Sequence, residues 1–114
     1  LPAFLKKKRS LAERYKVSFA GVKGVTFFTE PEHGTSNYWL NALLIDEQES
    51  NKREVVLELT NRNNIQTRPA WILMHRLPMF TSCPRMDLGI AENISRRLVN
   101  IPSSAVLGEP YTKA

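Results

Sequence analysis

Apolar residues recur at Phe4, Leu11, Tyr15 and Phe19, at steps of seven, four and four, with Ala12 beside them. That spacing forms one stripe of a helix over 3–17, with the basic run Lys6, Lys7, Lys8 and Arg9 mostly on the opposite side. Gly21 and Gly24 stop the helix and turn the chain. Residues 25–28 are short, apolar and β-branched or aromatic, and Glu30-Pro31 ends them, as expected of a strand. A turn with Gly34 follows. Residues 36–45, with Tyr38, Trp39 and a run of Leu, Ala and Ile, read as a longer buried strand, paired with the first as an antiparallel hairpin. Beyond a charged loop at 46–49, Asn51 and Glu54 have the spacing of a capping box. Val55, Val56 and Leu59 supply the buried face of a helix to about Asn61, which Asn63-Asn64 ends. Residues 65–68 form a short strand. Pro69, Pro78 and Pro84 forbid a long helix through 69–85. Asp87 caps a last helix carrying Leu88, Ala91, Ile94 and Leu98, Pro102 closes it, and 101–110 is an extended tail. This order predicts an α+β fold, a small, mostly antiparallel sheet with helices packed on one face.

Length and composition narrow the picture without changing it. The 114 residues suffice for one core and not for two. Hydrophobic content of 42% and charged content of 24% are ordinary for a globular domain. No apolar run approaches the roughly 20 residues that span a bilayer. Leu1 to Leu5 precede the basic run, the reverse of a secretory signal. A lone Cys83 excludes an intrachain disulfide and fits a reducing cytoplasm. The chain starts without methionine, directly in helix-like sequence, and reads as a fragment or processed product. Its net charge of +5 raises the alternative of a stand-alone basic module that binds nucleic acid or protein. Glu13, Glu47, Glu49, Glu54, Glu58, Asp87 and Glu92 break up the basic groups, however. No aromatic RNA-reading pattern or zinc spacing accompanies them, so nucleic acid is a poor partner.

Candidate chemistry is confined to one stretch. There is no Gly-rich phosphate loop, and His33 and His75 stand in no metal spacing. Cys83, between Ser82 and Pro84, has no helix start to activate it and reads as a buried structural thiol. Residues 67–85 instead gather Arg68, Trp71, Met74, His75, Arg76, Met79 and Phe80 in a proline-rich loop. Arg can pair with carboxylate or phosphate, and His donates or accepts near neutral pH. A purely structural reading, with Trp71 and Phe80 covering a sheet edge, stands beside the functional one.

A resemblance shifts that balance. Ser36-Asn37-Tyr38-Trp39-Leu40-Asn41-Ala42-Leu43-Leu44 is followed by Thr67-Arg68-Pro69-Ala70-Trp71, Met74-His75 and Leu77-Pro78-Met79-Phe80. Then come Cys83-Pro84-Arg85-Met86-Asp87-Leu88, Ala91-Glu92-Asn93 and Asn100-Ile101-Pro102-Ser103-Ser104. Together and in order these resemble the C-terminal small domain of the DegT/StrS family of pyridoxal-phosphate-dependent nucleotide-sugar aminotransferases, in its LegC-like branch. The likeness covers essentially the whole chain.

It implies a full-length cytoplasmic homodimer that moves an amino group from L-glutamate to a UDP-linked 4-keto-6-deoxy sugar, for legionaminic-acid-type or surface-polysaccharide synthesis. The pyridoxal-phosphate-binding large domain would lie outside this chain. No lysine here (Lys6, Lys7, Lys8, Lys16, Lys23, Lys52, Lys113) matches the family's cofactor-lysine motif. The chain alone is therefore expected to bind no cofactor and to be inactive. By the same resemblance it would wall the substrate cleft, with His75, Trp71 and Phe80 facing sugar or cofactor. Arg68 would meet an anionic group, and Asn37 and Tyr38 would reach in from the long strand. No catalytic residue and no metal site is expected in the chain.

Overall fold

Pro2 suits the start of a helix, because the amide hydrogen it lacks is one that the first turn leaves unbonded. The helix, α1, spans Pro2–Phe19 in the computed structural model, which describes residues 1–110. Leu11 and Ala12 are buried, and Tyr15 and Phe19 pack beside them on the core, as the stripe predicts, while Phe4 at its start is more than half exposed. Lys8 departs from the expectation. Four residues after Phe4 and three before Leu11, it falls on the stripe and not opposite it, and it is buried. Its ammonium group donates to the carbonyl oxygens of Trp39, at 2.8 Å, and Ser103. Those bonds make burial of the charge tolerable, while desolvation pushes its pKa below the usual lysine value.

The sheet contains β1 (Val25–Phe27), β2 (Asn41–Ile45), β3 (Arg68–Pro69) and β4 (Leu98–Ile101), in the order β1-β2-β4-β3. Every pairing is antiparallel: Thr26 stands opposite Leu44, Leu43 opposite Val99, and Arg68 opposite Asn100. In β2, Asn41, Leu43 and Ile45 are buried and the alternate residues less so, the period-two pattern of a strand with one covered face. Phe27, Leu43, Ile45, Val99 and Ile101 form the core with Ala12 of α1. Val56 and Leu57 of α2 (Arg53–Arg62) pack on the same cluster, so both helices cover one face. The α+β expectation holds.

Several local expectations do not. The long strand at 36–45 is cut to 41–45. Tyr38 has φ +46°, outside the extended range, and Ser36 Oγ and Asn37 Oδ1 accept the amides of Tyr38 and Trp39, each at 2.9 Å. These local bonds replace a ladder with a turn. The capping box is absent, because a 3-10 turn over Glu47–Lys52 leads straight into α2 with no side-chain cap. Glu54 pairs with the Arg53 guanidinium instead. The expected C-terminus is sound. Asn64 at φ +61° and the amides of Ile65 and Asn64 on the carbonyls of Thr60 and Asn61 make a Schellman motif.

The largest departure from expectation is β4. The last helix, α3, covers only Gly89–Arg97, and Leu98 turns extended at φ −80°, ψ 134°. The residues read as the end of a helix and the start of a tail form an inner strand of the sheet. Val99 within it is fully buried. Asp87 is not the cap of α3: Leu88 holds that position without a side-chain bond, and Asp87, one residue earlier, accepts the Gly89 amide at 3.1 Å in a local turn. After β4 a 3-10 turn at Ala105–Gly108 returns against α1.

The molecule is drawn out. Its radius of gyration is 16.1 Å, against roughly 13 Å for a compact domain of this length. Trp71, Ile72, Met74, Met79 and Met86, between β3 and α3, and Ile90 in the first turn of α3 are each about two-thirds exposed or more. Among the described residues no helix is long and apolar enough to cross a membrane.

Candidate substrate-binding surface

The prolines shape the segment between β3 and α3. Two 3-10 turns, Met74–Arg76 and Pro78–Phe80, are separated by Leu77, which is extended at ψ 137°. An extended residue is what a following proline requires. His75 sits in the first turn. Its ring Nε2 is 2.8 Å from Glu92 Oε1, and its side chain is only 16% exposed. The Arg85 guanidinium donates to the His75 carbonyl at 3.3 Å, so the backbone is held as well. Glu92, in the first turn of α3, offers its second oxygen to Arg76 at 3.4 Å.

His75 and Phe80 line one groove, of about 340 Å³, with Leu73, Cys83, Arg85 and Leu88. Cys83 is exposed there, which corrects the expectation of a buried thiol. Arg68 and Trp71 line a second groove, of about 390 Å³, with Leu40, Asn100 and Ser103. Arg68 Nη1 donates to Asn61 Oδ1 at 2.9 Å and to the Thr67 carbonyl at 2.8 Å. Trp71 lies against Trp39, with ring centroids 5.9 Å apart. Asn37 reaches this groove only through the Trp39 amide that its side chain holds. Tyr38 belongs to neither groove. Arg9 lies over its ring at 5.5 Å, and its hydroxyl accepts the Glu30 amide at 3.3 Å.

Of the residues singled out in the sequence, His75 pairs with Phe80 and Arg68 with Trp71, while Tyr38 stands apart. Trp39 and Glu92 were missed. Trp39 was hidden by the strand assigned to 36–45. For Glu92 there was no local signal, since its partner lies 17 residues away.

Two carboxylates here titrate low. The hydrogen bond from His75, with help from Arg76, holds Glu92 below the usual carboxylate range. The Arg9 guanidinium and the Ser36 amide do the same for Glu30. Lowered in the folded state, such a group binds fewer protons than the unfolded chain does, so its stabilisation is complete above the unfolded value of about 4.3. It is lost as pH falls through the lower folded value. The melting temperature should accordingly drop below about pH 4, and less steeply in Glu30→Gln than in the wild type. Identical slopes for both proteins would contradict this.

Among the described residues no cluster of His, Cys, Asp and Glu could hold a metal ion. Residues 1–112 match the family model of the DegT/DnrJ/EryC1/StrS aminotransferase family. EpsN of Bacillus subtilis (strain 168), assigned as a pyridoxal phosphate-dependent aminotransferase, is 31% identical over 109 residues, covering 92% of this chain and 28% of its own. The GDP-perosamine synthase of Vibrio cholerae is 27% identical over 100 residues, 87% of this chain and 27% of its own. The chain thus spans about a quarter of the length of the curated relatives it matches. The crystal structure of the aminotransferase TlmJ from Streptoalloteichus hindustanus superposes with a TM-score of 0.80 at 20% identity, over 93% of this chain and 28% of TlmJ.

Proposed function

Because the chain belongs to the DegT/DnrJ/EryC1/StrS aminotransferase family, we propose that it walls the substrate cleft of a pyridoxal-phosphate-dependent nucleotide-sugar aminotransferase. The amino group passes from L-glutamate to a 4-keto-6-deoxy sugar on a UDP carrier, in a cytoplasmic homodimer making a legionaminic-acid-type or related surface sugar. The match over residues 1–112 carries this reading. A relative named as a GDP-perosamine synthase supports a nucleotide sugar as substrate. The exposed apolar side chains between β3 and α3 support it too, since a patch of that kind marks a surface that other protein covers.

Pyridoxal phosphate supplies the electron sink for amino transfer when bound. The residues of this chain do not fit that group by themselves. The buried lysine, Lys8, is bonded to two carbonyls, and Lys7, Lys16 and Lys52 are ion-paired with Glu109, Glu13 and Glu49. Lys6 and Lys23 lie exposed, and Lys113 lies outside the described residues. A large domain from elsewhere in the protein therefore holds the cofactor in this reading. The role left to this chain is orientation. His75 accepts or donates a hydrogen bond to the sugar at the rim of an apolar groove backed by Phe80. Trp71, steadied by Trp39 and thus by Asn37, offers a flat face to a sugar or base ring, with Arg68 beside it for an anionic group. Tyr38 braces the loop that carries Trp39.

The test is an assay of the complete protein with L-glutamate and UDP-, GDP- and TDP-linked 4-keto-6-deoxy sugars. Glutamate-dependent amination of the UDP sugar is expected. Turnover of only another carrier would overturn the UDP assignment, and turnover of none would overturn the whole reading.

A further inference from the structure

We infer that Glu92 is a positioning residue for His75, fixing which ring nitrogen carries the proton and so which face of hydrogen-bonding chemistry the imidazole offers to the cleft. The inference rests on the substrate-cleft reading of His75 given above, and it adds a residue that reading did not contain.

Both carboxylate oxygens of Glu92 are engaged. One is 2.8 Å from His75 Nε2 and the other 3.4 Å from the Arg76 guanidinium. A guanidinium only donates and does not lose its proton in a protein. Held by it and by the imidazole, Glu92 titrates below the usual range and is ionised at neutral pH. An ionised carboxylate only accepts. The Nε2 atom must therefore bear a hydrogen, and in the neutral ring Nδ1 is the lone acceptor. Glu92 also stands on the first turn of a regular helix, where the positive end of the helix dipole favours its charge. His75 sits on a single 3-10 turn between extended residues. The rigid element thus orients the side chain of the irregular one. Arg85, donating to the His75 carbonyl, fixes the backbone but leaves the tautomer free.

Glu92 keeps one side open to water, at 34% exposure, while its Oε1 reaches a ring that is 16% exposed. With Nδ1 as acceptor, His75 can take a hydrogen bond from a sugar hydroxyl. With the tautomer reversed, it would present an N–H to the same atom.

The test uses Glu92→Gln in the complete protein. Glutamine is close in size and can donate or accept through its terminal amide, so it removes the constraint on the tautomer without opening a hole. In nitrogen NMR of histidine-labelled protein, the wild type should show His75 protonated at Nε2. E92Q should show a mixture or the reverse. Its kcat/KM for the keto-sugar should fall about tenfold, the equivalent of one ordinary hydrogen bond, with the glutamate half-reaction unchanged. Glu92→Asp, which keeps an acceptor-only group, should recover part of the loss. A Nε2-protonated ring in both wild type and E92Q would overturn the inference, as would a wild-type ring protonated at Nδ1. The NMR result is independent of turnover. A tautomer shift with no amination by the wild type would thus sink the proposed function and leave the Glu92–His75 relation standing.

Discussion

His75→Ala in the complete protein is expected to lower kcat/KM for the keto-sugar by roughly 10- to 100-fold, the loss of one hydrogen bond to a substrate group left unpaired. The melting temperature should change little by comparison. The ring is held by its hydrogen bond to Glu92 on one side and lines an apolar groove on the other, so its loss affects contacts at the surface and none in the core. Arg68→Ala makes the informative contrast. Its Nη1 is held by Asn61 and the Thr67 carbonyl, which anchors the exposed side chain and leaves Nη2 and Nε to face an anion. A KM increase below about tenfold is therefore expected for it, smaller than that of His75 because the charge of an exposed guanidinium is screened by water. Steady-state kinetics with both substrates decide the matter. If neither variant changes a kinetic constant, these residues do not belong to the cleft.

The sequence displayed the parts of the fold whose cause is local. The stripe of α1, the Asn64 terminus of α2 and the proline-broken segment before α3 follow from spacing, left-handed tolerance and fixed φ angles. What it hid was set by distant partners. Leu98 continues the helical spacing of Ala91 and Ile94, yet pairing with β2 on one side and β3 on the other draws 98–101 into the sheet. The alternation of Val99 and Ile101 before Pro102 was the available signal, and the helical repeat masked it. Lys8 shows the same limit in a single residue. A lysine on an apolar stripe counts as a break in the pattern until the carbonyls of Trp39 and Ser103, remote in the chain, are known to meet it. The candidate site divides similarly. Residue type and resemblance marked His75, Trp71 and Arg68, whereas Trp39 and Glu92 emerge only as spatial neighbours.

Gly108 yields the largest expected effect on stability. A Cβ at this position would stand 1.9 Å from the Lys7 carbonyl oxygen and 2.7 Å from its carbon. Both are helix backbone, which has no rotamer to give way. The turn at Ala105–Gly108 must then lift off α1, and what it holds goes with it: the buried Ala105, the Arg14 bond to the Leu107 carbonyl at 2.7 Å, and the Lys7–Glu109 pair. Overpacking of this kind costs about 1–3 kcal/mol and sometimes more. The loss of neighbouring contacts puts Gly108→Ala at the upper end. Gly21→Ala is the matched control. No atom lies within 4 Å of its Cβ position, and its backbone is not left-handed, so its stability should stay within about 0.5 kcal/mol of wild type. Denaturant titration of both variants separates the two cases. Equal midpoints would mean that the turn does not pack on α1 through Gly108. Because Lys8 joins the residues after β4 to the Trp39 loop, loosening this turn should also loosen Trp39, and with it the support of Trp71. A change at the far end of the chain is thus expected to raise KM for the sugar even where the protein remains folded.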